Sequence, residues 1–171
     1  MKVSNLAILF LSSVALVACG GADDAETAAT TDVADEIAVS GAELVGNPFM
    51  EDWDTPYGVP PFAEIEDAHY MPATMKGILE MRAEIAAIAA NPDEPTFENT
   101  ILAMEKAGEL IKKVANTFFN ITGTELNDEL QALRTKISPM LSREFDAINL
   151  NLKLFERVQT VYAQKEQLGL S

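Results

Sequence analysis

A chain of 171 residues, 48% hydrophobic and 23% charged, has room for one ordinary globular core. Its 12 basic side chains stand against 27 acidic ones, leaving no stripe to neutralise phosphates and no basic face for anionic lipid. Nucleic acid is therefore excluded as a partner, and the acidity reads first as a solubilising surface, with cation binding as the sharper alternative.

Residues 1–18 have the pattern of an export signal. Lys2 gives the positive start, and Leu6–Val17 is an apolar run interrupted only by Ser12 and Ser13. The run is shorter than the roughly 20 residues a spanning helix needs. It closes on Leu16-Val17-Ala18-Cys19, which resembles the lipobox of bacterial lipoproteins. That resemblance implies cleavage between Ala18 and Cys19 and a diacylglycerol on the Cys19 sulfur, each buried methylene adding about 0.8 kcal/mol of membrane affinity. Gly20, where an aspartate would retain the protein at the inner membrane, implies the periplasmic side of the outer membrane. A plain cleaved signal with an incidental cysteine is the alternative reading. Cys19 is the only cysteine, so no intramolecular disulfide can form.

Residues 19–46 read as a flexible linker. Ala, Thr, Asp, Glu and Gly dominate, aromatics are absent, and the few aliphatics are too scattered for a core. Such a chain reaches roughly 30 Å end to end. From Asn47 to Phe62 the composition changes to prolines and aromatics, which favour an extended strap lying across helices, with a turn at Pro56-Tyr57-Gly58. Asp52-Trp53-Asp54 lacks the glycine and terminal glutamate of a calcium loop.

Four helices are predicted behind the strap, giving an all-α domain over residues 47–171. The first, Ile65–Ala90, has Asp67 as cap, Pro72 early, and Met71, Met75, Ile78, Leu79, Met81 and Ile85 on its apolar side. Asn91-Pro92 and Pro95 then break the chain. Thr96 stands at an N-cap position, and Phe97, Ile101, Met104, Gly108, Ile111, Ala115 and Phe118 form one stripe, predicting a single long central helix that Gly123 stops. Leu102, Leu110, Val114 and Phe119 widen that stripe beyond what a small bundle covers, so an exposed apolar face is expected. The third helix, Glu125–Asn149, carries Leu126, Leu130, Leu133, Ile137 and Leu141, with Pro139 set to kink or split it. The fourth, Leu152 to Gln167, places Leu154, Phe155, Val158, Val161 and Tyr162 inward.

Asn91-Pro92 through Pro95-Thr96-Phe97-Glu98-Asn99-Thr100, Phe118-Phe119-Asn120 and Asn127-Asp128-Glu129-Leu130-Gln131 together resemble the N-terminal region of the peptidyl-dipeptidase Dcp and oligopeptidase A family. Asn47-Pro48-Phe49 and Trp53 through Phe62 resemble the same family's opening motif. These are thimet-oligopeptidase-like zinc metallopeptidases, so the resemblance implies a helical shell around a channel for short peptides, with a zinc domain further along the chain. Since the family's helical body continues past the point matched by Ser171, the chain is expected to be a truncated or split product, with the missing C-terminal part as a possible partner.

Peptide hydrolysis by zinc needs two histidines one helical turn apart, a glutamate base and a third ligand. His69 is the only histidine, no H-E-x-x-H occurs, and His69 reads as a surface or capping residue. A Ser-His-Asp arrangement would rest on His69 alone, with no nucleophile elbow. The pairs Glu51/Asp52 and Glu64/Glu66 read as solvated charge. No catalytic or metal residue is assigned, no cofactor is expected in these residues themselves, and zinc belongs to the full-length family. Two functions follow: the N-terminal part of an exported oligopeptidase acting on short peptides, or a lipid-anchored helical binding module without catalysis.

Overall fold

The computed structural model describes residues 38–166 except 126, together with 169. The export signal, the Ala18–Cys19 junction, most of the linker, Leu126 and Gln167 lie outside the described residues. Among those described, all regular structure is helical, and no helix is long and apolar enough to cross a membrane. The all-α expectation holds.

One turn, α1 (Gly41–Leu44), falls at the end of the stretch read as linker, and Ser40 and Glu43 close it reciprocally as a capping box. The strap follows, with short 3-10 turns at Pro48–Met50 and Pro56–Gly58. Its first half is docked. The Asn47 side chain accepts from the Phe49 N–H and donates to the His69 carbonyl at 2.9 Å, which fixes Phe49 inside the core. Its second half stands out in solvent: Tyr57, Val59 and Phe62 are all exposed.

Helix α2 (Asp67–Ala89) lies within the predicted Ile65–Ala90, with Glu66 rather than Asp67 as its N-cap. Asp67 is drawn elsewhere, accepting from Asn127 at 3.3 Å. His69 Nδ1 accepts the Glu66 N–H at 3.0 Å, so the capping role expected for this histidine is the one it has. Against α2 lies α4 (Glu109–Thr124), and the two come very close. A Cβ on Gly77 would sit 2.9 Å from the Ile111 backbone. Ile78, Met81, Ile85, Ile111, Val114 and Phe118 fill the space around that contact. Phe49, Tyr70 and Phe118 stack through tilted and edge contacts at 5.4 and 5.0 Å, extending the core from the strap into the seam.

The long central helix expected from Phe97 to Gly123 is broken. A π-helical turn at Phe97–Leu102 runs into α3 (Ala103–Lys106), the chain extends at Ala107, and Gly108 takes a left-handed φ of 73° before α4 begins. Gly108 fits the apolar stripe by count, yet its N–H is diverted to Glu84 Oε2 at 2.7 Å, and the space beside it belongs to Met81 and Ile111. Only glycine meets both demands cheaply. Thr96 is the N-cap, as expected, exchanging hydrogen bonds with Asn99. Gly123 does not stop α4, which continues to Thr124.

Helix α5 (Asp128–Asn149) starts at the Asn127 cap and is one helix through Pro139. Pro139 and Thr135 are both exposed, so the carbonyl deprived of its donor faces water, and the expected split does not occur. Its charged Glu144 is buried, held by Arg82 of α2 through two bonds of 2.5 and 2.7 Å. Helix α6 (Leu152–Ala163) ends before Gln167. Leu154 and Val161 point inward as predicted, but Phe155 and Tyr162 are 57% and 65% exposed. Arg157 is buried instead: it donates to the Asn91 and Asp93 carbonyls and to Asn99, tying α6 to the 91–99 segment.

Candidate functional site

The strap, α2 and α4 enclose a trough in two adjoining parts that share Trp53, Gly58 and Lys113. One part, of about 640 Å³, is lined by Phe49, Met50 and Leu110 among the apolar residues and by Glu51, Asp52, Glu80, Glu84 and Glu109 among the acids. The other, of about 410 Å³, is lined by Pro60, Phe62, Asn116, Thr117 and Asn120.

Lys113 stands between the two. Its Nζ donates to the Glu51 carbonyl at 2.6 Å and the Phe49 carbonyl at 3.3 Å, and lies 4.2 Å from the Trp53 ring centroid. An ammonium over an indole face is attracted by the ring quadrupole, so the lysine clasps the strap through backbone and ring together. Burial holds Lys113 below the ordinary lysine range, opposed by the nearby Asp52 and Glu51 carboxylates. Trp53 is anchored from its other edge, its Nε1–H donating to the Pro48 carbonyl at 2.9 Å. The rim turn is strained: Tyr57 adopts φ 62°, in the left-handed region, with Gly58 beside it at φ 65°. Thr55 Oγ1 closes the turn on the Val59 carbonyl at 2.6 Å.

The structure gathers some of the residues singled out in the sequence and leaves others apart. Glu51 and Asp52 join the acids of α2 and α4 in the trough wall. Glu64 and Glu66 remain exposed and outside it. Ala18 and Cys19 lie outside the described residues. The trough itself was not foreseen, because its walls come from three segments between residues 49 and 120 and no local motif links them. The prolines and Trp53 of the strap were the one available signal.

The zinc that the family resemblance implies needs several donors converging on one point. Among the described residues, no three His, Cys, Asp or Glu side chains do so. His69 Nδ1 is already engaged by the Glu66 N–H. These residues do not fit a zinc centre, and no hydrolytic step is assigned to them.

The described residues thus form an all-helical unit with an open, strap-walled trough. Over 124 residues, 72% of its length, the chain is 47% identical to a dipeptidyl carboxypeptidase of Escherichia coli strain K12 and 42% identical to that of Salmonella typhimurium strain LT2. It is 23% identical over 88 residues to oligopeptidase A of the same Salmonella strain. The chain spans 18% of the length of the two carboxypeptidases and 13% of the oligopeptidase. No family profile matches it. The chain is a homologue of the dipeptidyl carboxypeptidase and oligopeptidase A peptidases, and its matched region is a peptidase-related segment of that type.

Proposed function

We propose that this helical unit serves peptide breakdown as a wall of the substrate channel of an exported, zinc-dependent oligopeptidase or peptidyl-dipeptidase, with the hydrolytic centre supplied by other polypeptide. The observation that carries this reading is the 47% identity to a dipeptidyl carboxypeptidase across 124 residues. Two features of the fold support it. The trough is open and large enough to accept peptide side chains, and Phe145, Phe155 and Tyr162 stand exposed on α5 and α6, as they would where further protein packs. Short peptides are the substrate class in this reading, and the catalytic part is the partner.

The Leu16–Cys19 pattern supports a second element of the proposal: lipidation at Cys19 after cleavage behind Ala18, holding the protein on the periplasmic side of the outer membrane. The non-catalytic alternative, a lipid-anchored binding module, uses the same trough without an enzyme attached.

The test is an assay of the purified chain on short unblocked peptides, with and without a metal chelator. The channel-wall reading expects no cleavage by the chain alone, and chelator-sensitive cleavage by it would overturn that reading. For the anchor, Cys19→Ser should abolish incorporation of labelled palmitate and release the protein from membranes; unchanged labelling would overturn lipidation at this position.

A further inference from the structure

The two parts of the trough differ in chemistry, and the difference selects a ligand. The larger part draws its five carboxylates from three separate elements: Glu51 and Asp52 from the strap, Glu80 and Glu84 from α2, and Glu109 from α4. Among the described residues Lys113 is the only cation in either lining, and its ammonium is committed to two carbonyls and the Trp53 ring. Glu84 spends one oxygen on the Gly108 N–H, and Glu80 pairs with Lys76 along α2 at 3.0 Å. Glu109 has no hydrogen bond or ion pair of its carboxylate among the described residues, and Glu51 and Asp52 act on the Lys113 ammonium through space alone. A recess with this excess of one sign concentrates ligands of the other.

The smaller part carries almost no charge apart from the shared lysine. Pro60 and Phe62 give it an apolar side, and Phe62 is exposed there. Asn116 and Asn120 stand one helical turn apart on α4, their side-chain amides without an intramolecular partner among the described residues. An amide offers a donor and an acceptor together, the pair that an extended peptide backbone presents in return.

We propose that the trough binds an extended, basic peptide segment. Its Lys or Arg side chains occupy the acid-lined part, a neighbouring apolar side chain packs on Phe62 and Pro60, and its main chain meets Asn116 and Asn120. This deepens the channel-wall reading and rests on it, since it names the charge of the peptides that such a wall would favour. The argument for the occupant is charge complementarity with an apolar step beside it, which a metal ion or an acidic peptide would not use.

Trp53 is the only tryptophan in the chain and borders both parts, so its fluorescence reports occupancy directly. The probes are three N-acetylated tetrapeptides, Lys-Arg-Phe-Ala, Ala-Ala-Phe-Ala and Glu-Glu-Phe-Ala, titrated into the full chain at low salt. The basic peptide should saturate the signal with an affinity roughly tenfold or more above the neutral one, and the acidic peptide should give no change. Raising the salt should weaken the basic peptide alone. The double variant E80Q/E109Q, one change on each helical wall, should bring basic and neutral peptides within about threefold of each other. Equal binding of basic and neutral peptides, or a salt-independent preference, overturns the charge selection while leaving peptide handling intact. Absence of any response to all three peptides at millimolar concentration overturns the trough as a peptide site altogether. The salt series uses the unaltered protein, so it decides the question even if the double variant fails to fold.

Discussion

The seam between α2 and α4 and the outer face of α6 are written in the same alphabet of apolar residues at helical spacing, yet they meet opposite ends. In the seam, Ile78, Ile111, Val114 and Phe118 are almost wholly buried, and Gly77 lets the two backbones approach. On α6, Phe155 and Tyr162 lie at the same period and stay in solvent, while Arg157 goes inside. The contrast teaches that periodicity fixes which residues share a face, whereas burial depends on whether another element has the shape to cover it. Small residues made the seam possible. Large ones on α6 have no counterpart among the described residues.

The sharpest way to break this contrast is to fill the seam. Gly77→Leu must push Ile111 and its helix away, and a loss of more than about 3 kcal/mol in urea denaturation is expected; a near-neutral result would mean the helices are not locked there. Next in size is Arg82→Ala, which leaves Glu144 buried without its partner and should cost about 3 kcal/mol. Glu144→Ala should cost less, since Arg82 is more exposed and can recover water. Arg157→Ala strands the Asn91 and Asp93 carbonyls and should cost about 2 kcal/mol, with faster amide exchange confined to the segment from Asp93 to Thr100.

Lys113→Met should loosen the strap at a cost of about 1 kcal/mol and shift the Trp53 emission toward that of a solvated indole. The lysine also sets a pH signature. Its folded-state value lies below the ordinary 10.5, so between the two values the unfolded chain holds the extra proton. Stability contributed by this group therefore rises with pH through that window, as the cost of sheltering the charge disappears, and Lys113→Met should remove the slope. The smallest effect is expected on the other side of the comparison. Phe155→Ser with Tyr162→Ser should change stability by no more than about 0.5 kcal/mol each while reducing self-association in sedimentation. A large loss there would show that this face is covered after all.

Much of the fold was legible from local pattern. The break at Asn91–Pro95, the Thr96 cap, the docked first half of the strap, and the stripes of α2, α5 and the Ile111–Phe118 half of α4 all follow from residue type and spacing. What escaped depended on distant partners. Gly108 counts as a member of the stripe, and only the nearness of Met81 and Glu84 turns it into a break. Pro139 reads as a disruption until its neighbours prove to face water. Arg157 and Glu144 look like surface charges on their own helices, and each is buried because a group about sixty residues away in the chain receives it. The trough is hidden in the same way, assembled from acids that are unremarkable one at a time.

Lys113 grips the strap by the carbonyl oxygens of residues 49 and 51, and carbonyls are common to all amino acids. The side chain at position 51 makes no hydrogen bond in the buckle and acts on Lys113 only through its charge. Evolution or an engineer could rewrite that position with a neutral side chain and alter what the cleft welcomes while the carbonyl contacts that form it stay in place.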